Sequence, residues 1–258
     1  MFNPGERDTV GRFSEVANLY DNYRPDYPPA AVDFVLSYAK LEPGMRLIDI
    51  GCGTGISSRQ FAQRALQVIG IEPNAQMRQI AESLGGPAIY REGRADATGF
   101  PDSFADVVLA AQSFHWFPSD AALREFSRIL KPVGWVALLW NDRDDGDAFT
   151  AGFSALIRAH SPDRELSTLT QSETGRELLR NTHFEQAVRF EFPHQTPQTI
   201  EQFVGRALSV SFAPREERAR QHFDAALREL HHCFATDGIV MMRYRTVLYL
   251  ARKPLVPS

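Results

Sequence analysis

Asp49 stands two residues before the first of three closely spaced glycines, in the run Leu47-Ile48-Asp49-Ile50-Gly51-Cys52-Gly53-Thr54-Gly55. Gly51, Gly53 and Gly55 supply backbone angles closed to other residues and leave no side chain between the main chain and a ligand. Glu72, with Pro73 beside it, closes a second apolar run about 20 residues further on. Two carboxylate oxygens there match the two adjacent hydroxyls of a ribose. A third apolar run ends in Gln112-Ser113-Phe114-His115-Trp116-Phe117. Its aromatics can wall a pocket and surround a cation. His115 is the titratable residue best suited to take a proton from a hydroxyl or carbon acid. As a structural residue it would donate to a backbone carbonyl and hold the loop.

These groups need a strand, a tight turn and a helix to hold them. The pattern predicts strands over Met45–Ile50, Gln67–Ile71, Ala88–Gly93, Phe104–Gln112, Trp135–Trp140, Ala187–Phe192 and Ile239–Arg252. Helices are expected from Pro29 or Ala30 to Ala39, from Thr54 to about Ala65, and after Asn74, an N-cap residue. Met77, Ile80, Ala81 and Leu84 form the apolar stripe of that third helix. Met77 belongs to the core by this spacing, although its first-turn position brings it within reach of an adenine. Further helices are expected from a Ser119 cap to Leu130, over Phe149–Ala159, Ser172–Arg180 and Thr199–Leu208, and from Pro214, a first-turn proline, to Phe234. Strands alternating with helices make an α/β fold, with the chemistry at the carboxyl ends of the strands.

The composition bounds the rest. A chain of 258 residues, 43% hydrophobic and 23% charged, is ordinary for a soluble globular protein. A net charge of −4 argues against broad nucleic-acid binding. Two cysteines, Cys52 and Cys233, make no disulfide framework and fit a reducing, cytoplasmic setting. The first ten residues lack an apolar signal region. No apolar run is long enough for a membrane span, so no integral membrane association is expected. The acidic run Asp142-Arg143-Asp144-Asp145 suggests metal, but a solvated loop is the default reading. His231-His232-Cys233 also suggests metal, but neighbours on a helix diverge and chelate poorly.

The glycine spacing departs from the dinucleotide pattern Gly-x-Gly-x-x-Gly, because position 56 is Ile, and no Lys follows as in a phosphate loop. Together with its neighbours it resembles motif I of the class I S-adenosylmethionine-dependent methyltransferases. Further resemblances are Tyr20-Asp21-Asn22-Tyr23-Arg24-Pro25-Asp26-Tyr27-Pro28, Ala95-Asp96-Ala97, Phe104-Ala105-Asp106-Val107-Val108 and Leu130-Lys131-Pro132-Val133-Gly134. They span residues 20–140 in the family's order, with Ala105 inserted before the Asp and Val133 where a Gly is usual. The Gln112-x-x-His115-Trp116-Phe117 string is similar to the small-acid, trans-aconitate-like branch; ubiquinone- and menaquinone-type enzymes are also similar.

The resemblance implies a Rossmann-like, seven-stranded sheet with helices on both faces, the last strand antiparallel and a helical insertion at about 197–236 before it. It implies a single domain over 1–258: an arm or lid over 1–29, a cofactor-binding core over 30–145 and a substrate-side part over 146–258. The cofactor would be S-adenosylmethionine. Asp49 and the Gly51–Gly55 loop with Cys52 would take its methionyl end, and Arg24 with Tyr20 its carboxylate. Glu72 and Pro73 would face the ribose, and Asp96, the Ala97 N–H and Met77 the adenine. Gln112, Ser113 and Trp116 would lie beside it. Tyr23, Trp140, Asn141 and Arg143 are candidates to face the acceptor, Arg143 being suited to a carboxylate. Metal-dependent catalysis of the catechol type is not expected, since the position after strand four holds Gln112-Ser113-Phe114-His115 rather than acidic ligands. The absent Asn-Pro-Pro-Tyr signature and the aromatic cluster favour a small-molecule methyl acceptor over nucleic acid. Two alternatives stay open: an NAD(P)-dependent oxidoreductase, which shares the strand-loop-helix-acid layout, and a non-catalytic module that binds the cofactor and transfers nothing.

Overall fold

The computed structural model describes residues 24–160, 171–208, 214 and 216–255. Tyr20 and Tyr23 lie outside them. One seven-stranded sheet organises these residues, in the order β3-β2-β1-β4-β5-β7-β6. Its strands are β1 (Arg46–Ile50), β2 (Gln67–Ile71), β3 (Ile89–Arg91), β4 (Ala105–Ala111), β5 (Leu130–Arg143), β6 (Glu185–Gln198) and β7 (Val240–Arg252). The first five run parallel, β7 runs antiparallel to β5, and β6 antiparallel to β7. Parallel strands covered on both faces read as unbroken apolar runs, which is why Leu47, Ile48 and Ile50 are all buried in β1. The chain winds outward from β1 to β3 and then returns to β4 on β1's other side. The carboxyl ends of β1 and β4 therefore diverge, opening the crevice where such sheets bind ligands.

The helices are α1 (Pro29–Tyr38), α2 (Ile56–Ala62), α3 (Ala75–Ser83), α4 (Ser119–Ile129), α5 (Ala148–His160), α6 (Arg176–Arg180), α7 (Ile200–Leu208) and α8 (Glu217–Phe234). One face of the sheet packs Ile48, Ile50, Phe114, Phe126, Trp140 and Tyr249. The other packs Leu47, Val32, Val35, Phe61 and Leu139, with Phe34, Phe190 and Phe192 against them. A third cluster joins α5, α7 and α8 to the start of β7 through Phe153, Phe203, Phe223, Leu227 and Tyr244. Each such large side chain contributes ~1.5–3 kcal/mol on burial, enough together to seat the helices between β6 and β7 on the sheet. No helix among the described residues is long and apolar enough to cross a membrane.

The elements match the expected order, and the differences have local causes. β5 begins at Leu130 rather than Trp135, because Leu130 pairs with Ala105 before a register shift returns Trp135 to Val107. That irregularity absorbs Pro132, which cannot donate to a regular ladder, and Val133 in a left-handed conformation (φ 60°). α8 opens on Glu216, whose carboxylate accepts the N–H groups of Arg218 and Ala219, not on Pro214. Ser119 does not cap α4; it is the first residue of that helix, and Pro118 holds the cap position without a side-chain bond. The stretch from Ser172 splits into a 3-10 turn, Gln171–Gly175, and the short α6. Asn74 does cap α3, accepting from Gln76 and Met77. His231 is buried against the Gln198 carbonyl while His232 and Cys233 face outward.

Candidate functional site

The turn after β1 is built on three left-handed glycines, Gly51 (φ 68°), Gly53 (φ 56°) and Gly55 (φ 82°). Space closes two of these positions as well. A Cβ would lie 2.7 Å from the Ser113 Cβ at Gly51 and 2.3 Å from the Tyr90 hydroxyl at Gly55. The Gly51 and Cys52 N–H groups bond the Ile71 carbonyl at 2.7 and 3.2 Å, lashing the turn to the end of β2. The Cys52 thiol is buried. Burial first, then Asp49 and Glu72, push its pKa well up, so it packs as a thiol.

Two carboxylates flank this turn. Asp49 is fully buried, and its Oδ2 accepts from Ser57 and Ser58, each at 2.6 Å. Its Oδ1 is buried with no partner. Burial raises the Asp49 carboxyl to about 6 against the two serine hydrogen bonds, with Glu72 adding repulsion. The Glu72 carboxylate accepts from the Gly53 N–H at 3.0 Å and the Asn74 N–H at 2.9 Å. Its pKa is raised by burial, and those two N–H groups oppose the shift. Burial of two acids beside a close-approach turn, Asp49 wholly and Glu72 in part, creates a demand for cationic or donor groups. The α-ammonium and ribose hydroxyls of S-adenosylmethionine would meet that demand, so the residues present fit that cofactor. Ser57 and Ser58 were not singled out from sequence. The signal was there, since the first turn of a helix after such a loop folds back over the strand end.

The loop after β3 differs from expectation. Both Asp96 oxygens are taken by Arg94, at 3.0 and 3.1 Å. The Ala97 N–H closes a turn onto the Arg94 carbonyl at 3.2 Å, so it is not free to meet an adenine ring. The Arg94–Asp96 pair is exposed and holds weakly, so the Asp96 carboxylate can change partner. Met77 is buried and belongs to the core, and Pro73 is exposed. Glu125 of α4 anchors this loop from below. It accepts from the Thr98 N–H at 2.8 Å, the Thr98 hydroxyl at 2.5 Å and the Arg128 guanidinium at 2.8 Å. Burial works to raise the Glu125 pKa, but the Arg128 and Thr98 bonds outweigh it and hold it low. The clue in the sequence was an acidic residue on an apolar stripe, between Ala122 and Phe126.

At the end of β4 the Ser113 hydroxyl donates to the Ile50 carbonyl at 2.7 Å, beneath Gly51. Gln112 adopts a left-handed backbone (φ 55°). Its Nε2 reaches the Asn141 carbonyl at 3.4 Å, and its Oε1 is buried without a partner. Trp116 lies against His115, with ring centroids 4.9 Å apart. Trp140 is fully buried in the core rather than facing an acceptor, edge-on to Tyr249. Its indole N–H donates to His115 Nδ1 at 3.3 Å. An indole nitrogen only donates, so His115 Nδ1 carries a lone pair and the ring proton sits on Nε2. Burial, then the charge of Arg24, lower the His115 pKa to about 3. In this arrangement His115 is a neutral ring that offers Nε2–H, and its Nδ1 lone pair, which a general base would need, is taken by the indole.

Two clamps fix the incoming chain over this crevice. Gln60 of α2 accepts from the Tyr27 N–H at 3.0 Å and donates to its carbonyl at 2.8 Å. Asn141 donates to the Asp26 carbonyl at 2.9 Å while its Oδ1 accepts from Thr246 at 2.6 Å. The Asn141 amide is thus a structural tie and is not open to an acceptor. The clamps leave Arg24 close enough to act electrostatically on both His115 and Arg143. Arg143 projects from the end of β5, its Nε held by the Ser154 hydroxyl at 2.9 Å. No group of three or more metal-ligating side chains gathers among the described residues.

A profile described as a methyltransferase domain matches residues 48–138. An uncharacterized methyltransferase of Mycobacterium tuberculosis is 31% identical over 169 residues, 65% of this chain and 68% of its own length. A 2-methyl-6-phytyl-1,4-hydroquinone methyltransferase of Synechocystis is 33% identical over 132 residues, 46% of this chain and 42% of its own. Among solved structures, a protein described as a methyltransferase of an antibiotic biosynthesis pathway in Anabaena variabilis superposes with a TM-score of 0.62 at 22% identity. That likeness covers 88% of this chain and 98% of the other, and at this identity it speaks for the fold alone. The profile takes in the glycine turn, and the Mycobacterium relative extends the kinship from the fold to the sequence: the chain belongs to the class I S-adenosylmethionine-dependent methyltransferase family.

Proposed function

We propose that this protein binds S-adenosylmethionine at the β1 turn and transfers its methyl group to a small-molecule oxygen, nitrogen or carbon nucleophile. The observation that carries the reading is the unpartnered, buried Asp49 Oδ1 beside Glu72, at a turn where glycine leaves room for close approach. When bound, the cofactor supplies an electrophilic methyl on a sulfonium. Asp49 and the turn hold its methionyl end, with Arg24 near the carboxylate. Glu72 receives the ribose hydroxyls, sharing oxygens that already accept from Gly53 and Asn74, since a carboxylate has about four acceptor sites. Asp96 would exchange Arg94 for the adenine amino group. The aromatics after β4 shield the crevice from water, and alignment of nucleophile with methyl group does most of the work. His115 donates Nε2–H to an acceptor oxygen and holds it in line. A hydroquinone-methylating relative supports a small-molecule acceptor.

Parallel calorimetric titrations with S-adenosylmethionine, S-adenosylhomocysteine and NAD test the reading. Micromolar binding of the first two and none of NAD supports it. Binding of NAD alone overturns it in favour of a dinucleotide enzyme. Cofactor binding with no labelled methyl transferred across an acceptor panel would reduce the protein to a binding module.

A further inference from the structure

Three residues from three adjacent strands line up at one end of the sheet. Arg143 on β5 pairs in register with Tyr244 on β7, and Tyr244 pairs with His194 on β6. Residues directly opposite across antiparallel strands share a face, so the three side chains form one row. The row occupies a seam. On one side Phe190 and Phe192 pack under α1; on the other, Met242 and Val240 pack under α5, α7 and α8.

The polar atoms of this row are poorly satisfied for so enclosed a place. The Tyr244 hydroxyl is buried with no hydrogen bond of normal length, the Thr196 hydroxyl across the strand pair being a polar influence on it. His194 Nε2 is buried without one too, its nearest carboxylate being Asp26 at 3.7 Å. The Arg143 Nε is spoken for by Ser154, which is itself bonded to Asp145 at 2.6 Å. No bond from the two terminal nitrogens of Arg143 exists among the described residues. Burial, the largest influence, holds that guanidinium below its usual pKa. Positive charge gathers here: Arg24, Arg143 and Arg206 all act on Tyr244, the Arg206 guanidinium lying 5.1 Å from its ring centroid. Arg24 and Arg206 have partners of their own. The acids at hand are engaged, Asp145 with Ser154 and with Arg158 at 3.7 Å.

Guanidinium N–H groups and a phenol without a partner, in a positive field, call for an acceptor-rich anion. The seam adjoins the crevice. Two residues before Arg143 on β5, Asn141 is bonded by Gln112 from the end of β4 at 3.4 Å and itself holds the Asp26 carbonyl at 2.9 Å, and Arg24 acts on both His115 and Tyr244. We infer that the methyl acceptor carries an anionic oxyacid group, a carboxylate or a phosphomonoester, seated by the terminal nitrogens of Arg143 and the Tyr244 hydroxyl. This rests on the methyl-transfer reading for what is done to the acceptor, but not for the anion seat itself.

The test is direct binding, with and without saturating S-adenosylhomocysteine. The probes are tricarballylate and cinnamate as carboxylates, phenyl phosphate as a phosphomonoester, and the corresponding amides and benzyl alcohol as neutral counterparts. The expected result is millimolar or tighter binding of at least one anionic probe, with its neutral counterpart weaker by about tenfold or more. The carboxylate and phosphate arms tell which oxyacid is preferred. Arg143→Gln and Tyr244→Phe should each weaken the anion by about tenfold and leave S-adenosylhomocysteine affinity unchanged. Tyr244→Phe removes an unsatisfied buried hydroxyl, so that variant should fold even if Arg143→Gln does not. Equal binding of acid and neutral probe, no anionic probe bound at millimolar concentration, or anion binding indifferent to Tyr244→Phe would overturn the inference. Loss of S-adenosylhomocysteine binding by the unaltered protein would overturn the methyl-transfer reading instead and leave the anion result standing.

Discussion

Trp140 in β5 and His115 after β4 are joined by one hydrogen bond, indole nitrogen to Nδ1, at 3.3 Å. The bond fixes a tautomer, and the tautomer fixes what His115 can do. A ring whose Nδ1 accepts from an indole offers Nε2–H to its surroundings. With its pKa near 3, it stays neutral throughout the physiological range.

The first prediction concerns that neutrality. The His115 ring resonances should not titrate between roughly pH 5 and 8, where free histidine does. His115→Ala should slow methyl transfer without moving its pH profile, and His115→Gln, which restores an N–H donor, should recover part of the rate. A profile limb near 6.5 that disappears in His115→Ala would return the residue to the role of base. The stability sign follows from the depressed pKa. The contribution is fully present above 6.5 and is lost progressively as pH falls from there towards about 3.

Asp49 behaves in the opposite sense. Its folded pKa is raised to about 6 from 3.8, so the protonated form is favoured by the fold. That contribution is complete below 3.8 and is lost as pH rises through about 6. An ammonium group beside it would restore the charge. Cofactor binding near pH 6 should therefore release protons, read as a dependence of calorimetric heat on the ionisation enthalpy of the buffer. Asp49→Asn should leave the unliganded protein as stable or more stable at pH 8 and bind S-adenosylhomocysteine about tenfold more weakly or worse.

Glu72→Ala removes the carboxylate that holds the Gly53 and Asn74 N–H groups. Cofactor affinity should drop by ~1–3 kcal/mol, the range for a lost charged hydrogen bond. Isothermal titration measures it, and an unchanged affinity would remove Glu72 from the site.

Glu125 lies under the loop after β3 without reaching the crevice. Glu125→Gln should destabilise the fold by ~1–3 kcal/mol, because Thr98 and Arg128 lose a charged partner. Since its folded pKa is held below 4.5, the native stabilisation is present above that value and is lost as pH falls. Urea unfolding at neutral and acid pH should show the variant's deficit shrinking in acid.

Gly55→Ala combines left-handed strain, ~1–2 kcal/mol for an L-residue, with a Cβ 2.3 Å from the Tyr90 hydroxyl. Denaturant midpoints should fall, and cofactor affinity should fall with them as Tyr90 is pushed against the turn. An unshifted midpoint would mean that the turn relaxes freely.

Much of this was legible along the chain, because it depends on residues close in sequence. A buried parallel strand must be an apolar run, and Val68–Ile71, all of β2 after its first residue, is one. A turn that needs three left-handed angles is written with glycine, and the Asn74 cap is read from its own next three residues. Other features depend on groups brought together from far apart. Trp140 looked open to an acceptor as the last residue of a strand, but β7 and the 3-10 turn cover it, so its N–H turns to His115. Asn141 looked free until the arm passed over it and took its amide. Ala97 was expected to offer its N–H to a ring and instead closes its own turn. The Arg143–Tyr244–His194 row exists only through the register of three strands more than 40 residues apart along the chain. The sequence by itself determined which segments fold, in which order, and where the glycine turn meets its acids. The tertiary structure alone decided which polar atoms were left without a partner, since burial and hydrogen bonding are settled by neighbours that no local pattern names.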